Sequence, residues 1–308
     1  LLYPALQQAG YPDRFNLGLI TTSGSLGLLF APSLPLILYG VVAQQTSIGT
    51  PVNIDELFLA GILPGLLMVV LLSAWSMWKQ PPGQLTSEFD RREIISSIRE
   101  SMWEIPLPFL VLGGIYGGYL AVSEAAAVTA MYVLVIEVLI KREVRIRNLP
   151  EIIRESMVLV GAIMLILGVS LASTNYLIDA EVPSKLFDGI REYIDNKWTF
   201  LIALNIFLLM LGMMLDIFSA LIIIVPIILP IAAGYGIHPV HLGIVFLANM
   251  QLGYFTPPVG MNLFIASFRF NKPVMELYIA TLPFFFILLF AVLLITYWPA
   301  LSMVFITP

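Results

Sequence analysis

The chain has 308 residues, of which 59% are hydrophobic and only 11% charged, with a formal charge of −5 and no cysteine. A soluble domain carries roughly 25% charged residues, so this complement cannot cover a water-exposed surface and a soluble globular protein is excluded. The missing dense basic face argues against nucleic acid as a partner. The absence of cysteine rules out disulfides, thiol catalysis and cysteine metal sites.

Taken in chain order, apolar stretches at 14–44, 56–78, 104–140, 239–268 and 274–300 reach or exceed the roughly 20 residues that cross a bilayer. Continuous apolar runs, rather than two-residue alternation, point to helices and not to a barrel. The expected fold class is an all-α polytopic membrane protein embedded in a lipid bilayer. The chain opens at Leu1-Leu2-Tyr3-Pro4, without methionine and inside an apolar run, which reads as an N-terminally truncated protein. A polar segment, 79–103, follows the second span. Its Arg91–Arg99 portion has helical spacing of apolar positions and is expected at the membrane interface. Residues 104–140 are long enough for two short spans, interrupted near Gly117-Gly118 or at Ser123-Glu124. A span at 155–173, a polar stretch at 174–197, an apolar pair at 198–234 and the last two long spans complete the pass.

Basic residues orient these spans. With 79–103 and 141–154 on the cytoplasmic side, twelve of the 15 lysines and arginines fall inside. That arrangement requires 104–140 to cross twice. It also requires 198–234 to enter and leave on one side, as a re-entrant helical hairpin with its tip near Met213–Phe218. By length alone, two full spans with a tight turn are an equal reading. Asp216 favours the hairpin, since a carboxylate in apolar surroundings is costly unless paired, hydrated or protonated.

An offset of 226 residues pairs Leu26 with Leu252, Gly27 with Gly253, Pro32 with Pro258, Pro4 with Pro230 and Gly10 with Gly236. Four of the five identities are glycine or proline, which set backbone geometry. The span at 14–44 and the span at 239–268 would cross in opposite directions. An inverted repeat with discontinuous helices is the usual construction of a secondary transporter. Proline removes a donor and breaks the helical ladder, so carbonyls around Phe30 and Thr256 are expected to be bare and able to hold a sodium ion. A proline kink closed by neighbouring side chains or water is the bland alternative.

Other polar residues take lesser parts. Thr21, Thr22, Ser23 and Ser25 precede the first break, and Asn249, Gln251 and Asn262 flank the second. Asn262 is balanced between a substrate cavity and an interhelical hydrogen bond. Glu124 is expected to cap the helix it starts. His238 and His241 are expected to mark the external interface, and Tyr297-Trp298 an aromatic belt.

The motifs Ala9-Gly10-Tyr11-Pro12, Gly27 through Ala31-Pro32-Ser33, Leu112–Gly118 with Ser123–Ala127, Gly212–Asp216, and Gly253 through Thr256-Pro257-Pro258-Val259-Gly260-Met261-Asn262 resemble the large membrane subunit of TRAP transporters. The resemblance runs essentially end to end. Two departures are Ala31-Pro32 where paired prolines are usual, and Ala121-Val122-Ser123-Glu124 in place of Thr-Pro-Thr-Glu.

The resemblance implies a sodium-coupled elevator-type importer of organic acid anions such as dicarboxylates or sialic acid, with no cofactor beyond the coupling ions. It also implies a bacterial or archaeal cytoplasmic membrane location, a small four-helix membrane subunit and a periplasmic substrate-binding protein. By resemblance, Gly27, Phe30 and Pro32 form one cation site, and Gly212, Gly253, Thr256 and Val259 its counterpart. Asp216, Ser25 and Asn262 serve substrate or coupling. Ala31, Pro257, Pro258 and Gly260 are structural breaks. The implied division is 1–44 and 198–268 in the transport domain, 45–103 as a scaffold span and interfacial segment, 104–197 as central spans and 269–308 as the last span. Proton coupling through Asp216 or Glu124, and a non-transporting partner or sensor subunit, remain alternatives. No nucleophile–base constellation or metal cluster suggests an enzyme.

Overall fold

The computed structural model of the protein describes residues 2–46, 52–79 and 91–306. These residues are helical, with no strand among them. The helices are α1 (Leu2–Gln8), α2 (Asp13–Ser23), α3 (Leu34–Gln45), α4 (Ile54–Trp78), α5 (Arg91–Glu100), α6 (Pro106–Tyr116), α7 (Val122–Leu134) and α8 (Leu149–Asp179). They continue with α9 (Val182–Arg191), α10 (Lys197–Met214), α11 (Ile217–Gly234), α12 (Pro239–Gly253), α13 (Met261–Phe270), α14 (Val274–Tyr297) and α15 (Ala300–Met303). A 3-10 turn occupies Leu26–Leu29, and a π-helical turn, Val135–Ile140, prolongs α7.

Among the described residues, five helical stretches are long and apolar enough to cross a membrane: Ile54–Trp78, Ser123–Ile140, Lys197–Met214, Ile217–Gly234 and Val274–Tyr297. A sixth arises if Asp13–Leu29 and Leu34–Gln45, bent by 42° at their break, count as one span. The chain is therefore a multi-pass membrane protein. The break between α10 and α11 falls at Leu215-Asp216, within the expected tip. Both arms have 18 residues, so helix length alone still admits two full spans.

The chain divides into two compact units, residues 1–84 with 169–308, and residues 85–168. In the smaller unit, α6 has only 11 residues, about 16 Å of helix, short of the full crossing expected of it. Pro106 and Pro108 begin it, and Gly117 with Gly118 (φ +71°) ends it. Glu124 behaves as expected, its carboxylate accepting from the Ala121 backbone N–H at 2.9 Å. Lys141 pairs with Glu104, and the Tyr132 hydroxyl donates to the Trp103 carbonyl at 2.7 Å.

The larger unit is built around α12, all 15 residues of which are buried. It packs against α3, α4, α10, α11, α14 and α15. His241 is the main correction here. Instead of marking an interface, it is 2% exposed, between the Ser302 hydroxyl (2.6 Å) and the Thr296 carbonyl (3.3 Å). The carbonyl can only accept, so Nε2 carries the proton. The Thr296 hydroxyl and the Asn249 amide both donate to Asn205 Oδ1. This polar line gives the buried Asn205 oxygen and the Asn249 Nδ2 partners across helices, as polar groups in a membrane bundle require.

The 226-residue offset is written into the backbone of this unit. Gly10 and Gly236 both have φ +70°. Each ends a helix in the same two-bond cap: Gly10 N–H to the Gln7 carbonyl and Tyr11 N–H to Leu6, against Gly236 N–H to Ala233 and Ile237 N–H to Ala232. This is the left-handed C-terminal motif that glycine makes without steric cost. An extended residue, Pro12 or His238, then starts α2 or α12. Packing is exchanged between the halves, α14 lying on α2 and α4 on α12.

Candidate functional site: two interrupted helices

The first interruption follows α2. After the turn at Leu26–Leu29 the chain extends at Phe30 (φ −98°, ψ 134°), whose N–H donates to the Gly27 carbonyl at 3.2 Å. The Ser33 hydroxyl donates to the Leu28 carbonyl at 2.6 Å and lies 3.5 Å from the Leu36 N–H at the start of α3. At the matching place after α12, the Thr256 N–H donates to the Gly253 carbonyl at 3.1 Å, and its hydroxyl to Leu252 at 2.6 Å. The peptide bonds Ala31–Pro32 and Pro257–Pro258, also 226 residues apart, are both cis. Gly260 (φ +49°) starts α13.

Several of the carbonyls expected to be bare have partners: at the first break Gly27 and Leu28 accept from the Phe30 N–H and the Ser33 hydroxyl. Around the second break, the Leu252, Gly253, Tyr254 and Phe255 carbonyls accept from Thr256, Thr256, Asn262 and Thr281 respectively. Hydroxyls and loop N–H groups supply what proline removed. Each carbonyl has a second lone pair, so an ion would share these groups rather than complete them.

The second site residues are brought together. Gly212, in the last turn of α10, meets Gly253, in the last turn of α12, backbone against backbone: a Cβ on Gly253 would lie 2.4 Å from the Gly212 carbonyl carbon. The Met213 carbonyl accepts from Val259 N–H (3.2 Å) and Gly260 N–H (3.3 Å). Two helix C-termini, each with partial negative charge, thus converge at one point. Asp216 Oδ2 accepts from Phe218 N–H (3.0 Å) and Ser219 N–H (3.1 Å) and so caps α11. The Tyr254 hydroxyl accepts from Ile217 N–H at 3.0 Å, joining that cap to the break.

The two interruptions also touch each other. Ser25 Oγ lies 3.4 Å from the Gln251 carbonyl, its own repeat counterpart. A contact between two repeat counterparts is what a point near a pseudo-two-fold axis produces. Asn262 Nδ2 donates to the Thr21 carbonyl at 3.2 Å, so this amide does make an interhelical hydrogen bond. Asn262 and Thr21 also line a cavity of about 420 Å³ with Gly24, Ala266 and Arg269. Among the described residues, the buried side-chain polar atoms without a partner belong to Asn16, Thr21, Asn249, Gln251 and Tyr297. All but the last lie on α2 and α12. Buried polar groups are rarely left unsatisfied, so the polar surplus sits on the two interrupted helices.

Sequence reasoning missed several neighbours. A Cβ at Gly61 of α4 would be 2.1 Å from the Leu29 carbonyl oxygen, and one at Gly65 would be 2.7 Å from the Phe30 ring. The signal was legible, since small residues four apart mark close helix approach in membranes. Tyr254, Met213 and Arg269 gave no such sign. Among the described residues no group of three or more histidine, cysteine, aspartate or glutamate side chains could hold a metal. The donors at the breaks are oxygens, which suit a hard cation.

A multi-pass helical protein whose core is a duplicated, interrupted helix with oxygen donors at both breaks is a membrane transport protein by construction. Its whole length bears this out: residues 1–301 match the family model described as "Tripartite ATP-independent periplasmic transporter, DctM component". The chain belongs to that family, whose members are transport permeases and not enzymes. Over 301 residues it is 35% identical to the C4-dicarboxylate TRAP transporter large permease protein DctM of Pseudomonas aeruginosa, covering 96% of this chain and 68% of that protein. It is 32% identical over 308 residues to the isethionate TRAP transporter permease protein DctMQ of Oleidesulfovibrio alaskensis, covering 99% of this chain and 47% of that protein. Identity to the sialic acid TRAP transporter large permease protein SiaM of Vibrio cholerae is 33% over 267 residues, 85% of this chain and 60% of that protein. The chain thus spans between about half and two-thirds of these relatives' lengths.

Proposed function

We propose that the chain is the large membrane subunit of a sodium-coupled secondary transporter that imports an organic acid anion across the cytoplasmic membrane of a bacterium or archaeon. It works with a small four-helix membrane subunit and receives substrate from a periplasmic binding protein. The observation that carries the reading is the junction of the two interruptions, where Ser25 meets Gln251 and Asn262 meets Thr21 beside the 420 Å³ cavity. A small carboxylate there has the Asn262 amide and, two turns along α13, the Arg269 guanidinium, which makes no ion pair among the described residues.

Sodium binds at the converging C-termini of α10 and α12, with Gly212, Gly253, Thr256 and Val259, and at the first break, with Gly27, Phe30 and Pro32. The cation neutralises the partial negative charge of the helix ends and stiffens the break before the anion arrives; that order of events is the coupling. Residues 1–44 and 198–268 form the transport domain, an inverted repeat in which α10 and α11 are the arms of a re-entrant hairpin. It moves as an elevator against the remaining spans.

The test is uptake into proteoliposomes by the full-length protein with its small subunit and binding protein. A sodium gradient alone, with the pH gradient collapsed, is expected to drive uptake. Asp216→Asn and Thr256→Ala are each expected to cut it sharply while leaving assembly intact. Uptake driven only by a proton gradient would replace sodium with protons. Unchanged sodium dependence in both variants would remove the site assignment.

A further inference from the structure

At one end of the larger unit the start of α2, the start of α14 and the end of α4 come together, and their basic residues are unequally committed. Lys272, just before α14, pairs with Asp13 at 3.3 Å and with Glu276 at 3.2 Å, so the two nearby carboxylates share one cation. Asp13 also accepts from the Tyr3 hydroxyl. Arg14 and Lys79 make no ion pair among the described residues. Both line one cavity of about 480 Å³, with Phe15, Trp75, Pro283 and Phe284 among its walls. The Lys79 ammonium sits 5.0 Å from the Trp75 ring centroid and 5.4 Å from that of Trp78.

The groove continues past Trp75. A second cavity of about 470 Å³ lies between the same two long helices, lined by Leu71, Ala74, Trp75 and Trp78 of α4 and by Phe286, Ile287 and Phe290 of α14. Its walls are almost entirely apolar. From Ile279 to Phe290 the two cavities follow α14 for about 16 Å, at 1.5 Å per residue. Phe286 and Phe290, in the wall of this trough, stay 60% and 54% exposed. A pair of cations at the mouth, tryptophans beside them, and an apolar trough running inward match the order of parts in a membrane phospholipid.

We propose that this groove is a binding site for an anionic glycerophospholipid. The phosphodiester would lie between Arg14 and Lys79, and one acyl chain would run past Trp75 onto Phe286, Ile287 and Phe290. Two cations with no carboxylate of their own select a negative headgroup over a zwitterionic one. Arginine offers a planar fork to phosphate oxygens, while lysine adds a point charge. A free phosphate would use the mouth and leave the apolar trough unfilled, which is why a lipid is the better fit. The site lies between α4 and α14, which also pack on α12 and α2, so its occupant would steady the helices that carry the interruptions.

The test uses tryptophan quenching in vesicles by phospholipids with brominated acyl chains. The full-length protein carries Trp103→Phe, Trp198→Phe and Trp298→Phe in this sequence's numbering, any tryptophan outside these residues also being replaced. Trp75 and Trp78 then report. Brominated phosphatidylglycerol is expected to quench with a relative binding constant about fivefold or more above that of brominated phosphatidylcholine, since each basic residue near an anionic surface is worth about that factor. In an Arg14→Gln/Lys79→Gln variant the ratio falls to about one, while quenching by phosphatidylcholine persists and shows the groove intact; Arg14→Lys restores part of the preference. A ratio near one in the parent, or an unchanged ratio in the double variant, overturns the proposal. Loss of the preference on adding inorganic phosphate overturns the lipid as occupant in favour of a soluble anion. Loss of quenching by both lipids when the small membrane subunit is present overturns it in favour of a protein contact.

Discussion

The two interruptions share one backbone plan and differ in what presses on them. At the first, Gly27 faces open space, with nothing within 4 Å of where a Cβ would be. Pressure comes instead from α4, through Gly61 against the Leu29 carbonyl. At the second, the equivalent Gly253 is itself the contact, its Cα against the backbone of Gly212. The same glycine at the same place in the repeat is thus dispensable to packing in one half and indispensable in the other. A repeat therefore preserves the interruption of the helix more faithfully than the reason for each residue within it.

Glycine substitutions should break the comparison most visibly. Gly253→Ala drives a methyl to 2.4 Å from the Gly212 carbonyl carbon, and overpacking on this scale costs about 1–3 kcal/mol or more. The expected outcome is a strongly lowered melting temperature in detergent and no uptake. Gly61→Ala, at 2.1 Å from the Leu29 carbonyl oxygen, should be as damaging although it lies outside both breaks. A melting temperature unchanged in either variant would show that backbone contact does not define these breaks.

Next in size is Asp216. Removing the cap with Asp216→Ala should cost about 1 kcal/mol of stability, read as a lower melting temperature. Asp216→Asn keeps a capping oxygen for Phe218 and Ser219, so its stability should stay within a few tenths of a kcal/mol of the parent's, with little change in melting temperature. Any loss of uptake in that variant then reports the charge alone. Tyr254→Phe comes third. It removes the acceptor for Ile217 N–H, worth about 1 kcal/mol, and should loosen the second break while leaving the first untouched. Hydrogen exchange at Phe218 and Ser219 rising while exchange at Leu34–Leu36 stays constant would bear this out.

Much of the architecture was legible in the sequence because glycine and proline act locally. Gly10 and Gly236 each end a helix by their own φ, and Pro32 and Pro258 interrupt a ladder wherever they stand, so position alone located both breaks. Asp216 was legible for the same reason, as a carboxylate in an apolar run. What escaped were the partners. Whether the Phe255 carbonyl is bare depends on Thr281, which lies on another helix. Whether His241 is exposed depends on Ser302, 61 residues away. Nothing local to Gly27 and Gly253 distinguishes them; only α10, packed against one and not the other, does. The end of α6 at Gly117-Gly118 was legible because glycine acts locally, whereas its start at Pro106, which leaves only 11 residues, was not.

Gly27→Ala is the smallest expected effect and the sharpest discriminator. The added methyl meets no atom within 4 Å, and Gly27 sits in the 3-10 turn with no positive φ to lose. Sterically the change is permitted, and by reducing the freedom of the unfolded chain it should be neutral or stabilising by about 0.4–1 kcal/mol. A melting temperature at or above the parent's is therefore expected. Uptake need not follow stability. If the open space beside Gly27 is where a cation approaches the first break, a methyl there raises the sodium concentration needed for half-maximal uptake without lowering the folded fraction. If that space is only solvent or lipid, both measurements stay unchanged. Because Gly253→Ala cannot separate packing from ion binding, the first break is where the two can be pulled apart, and a titration of uptake against sodium in Gly27→Ala is the measurement that does so.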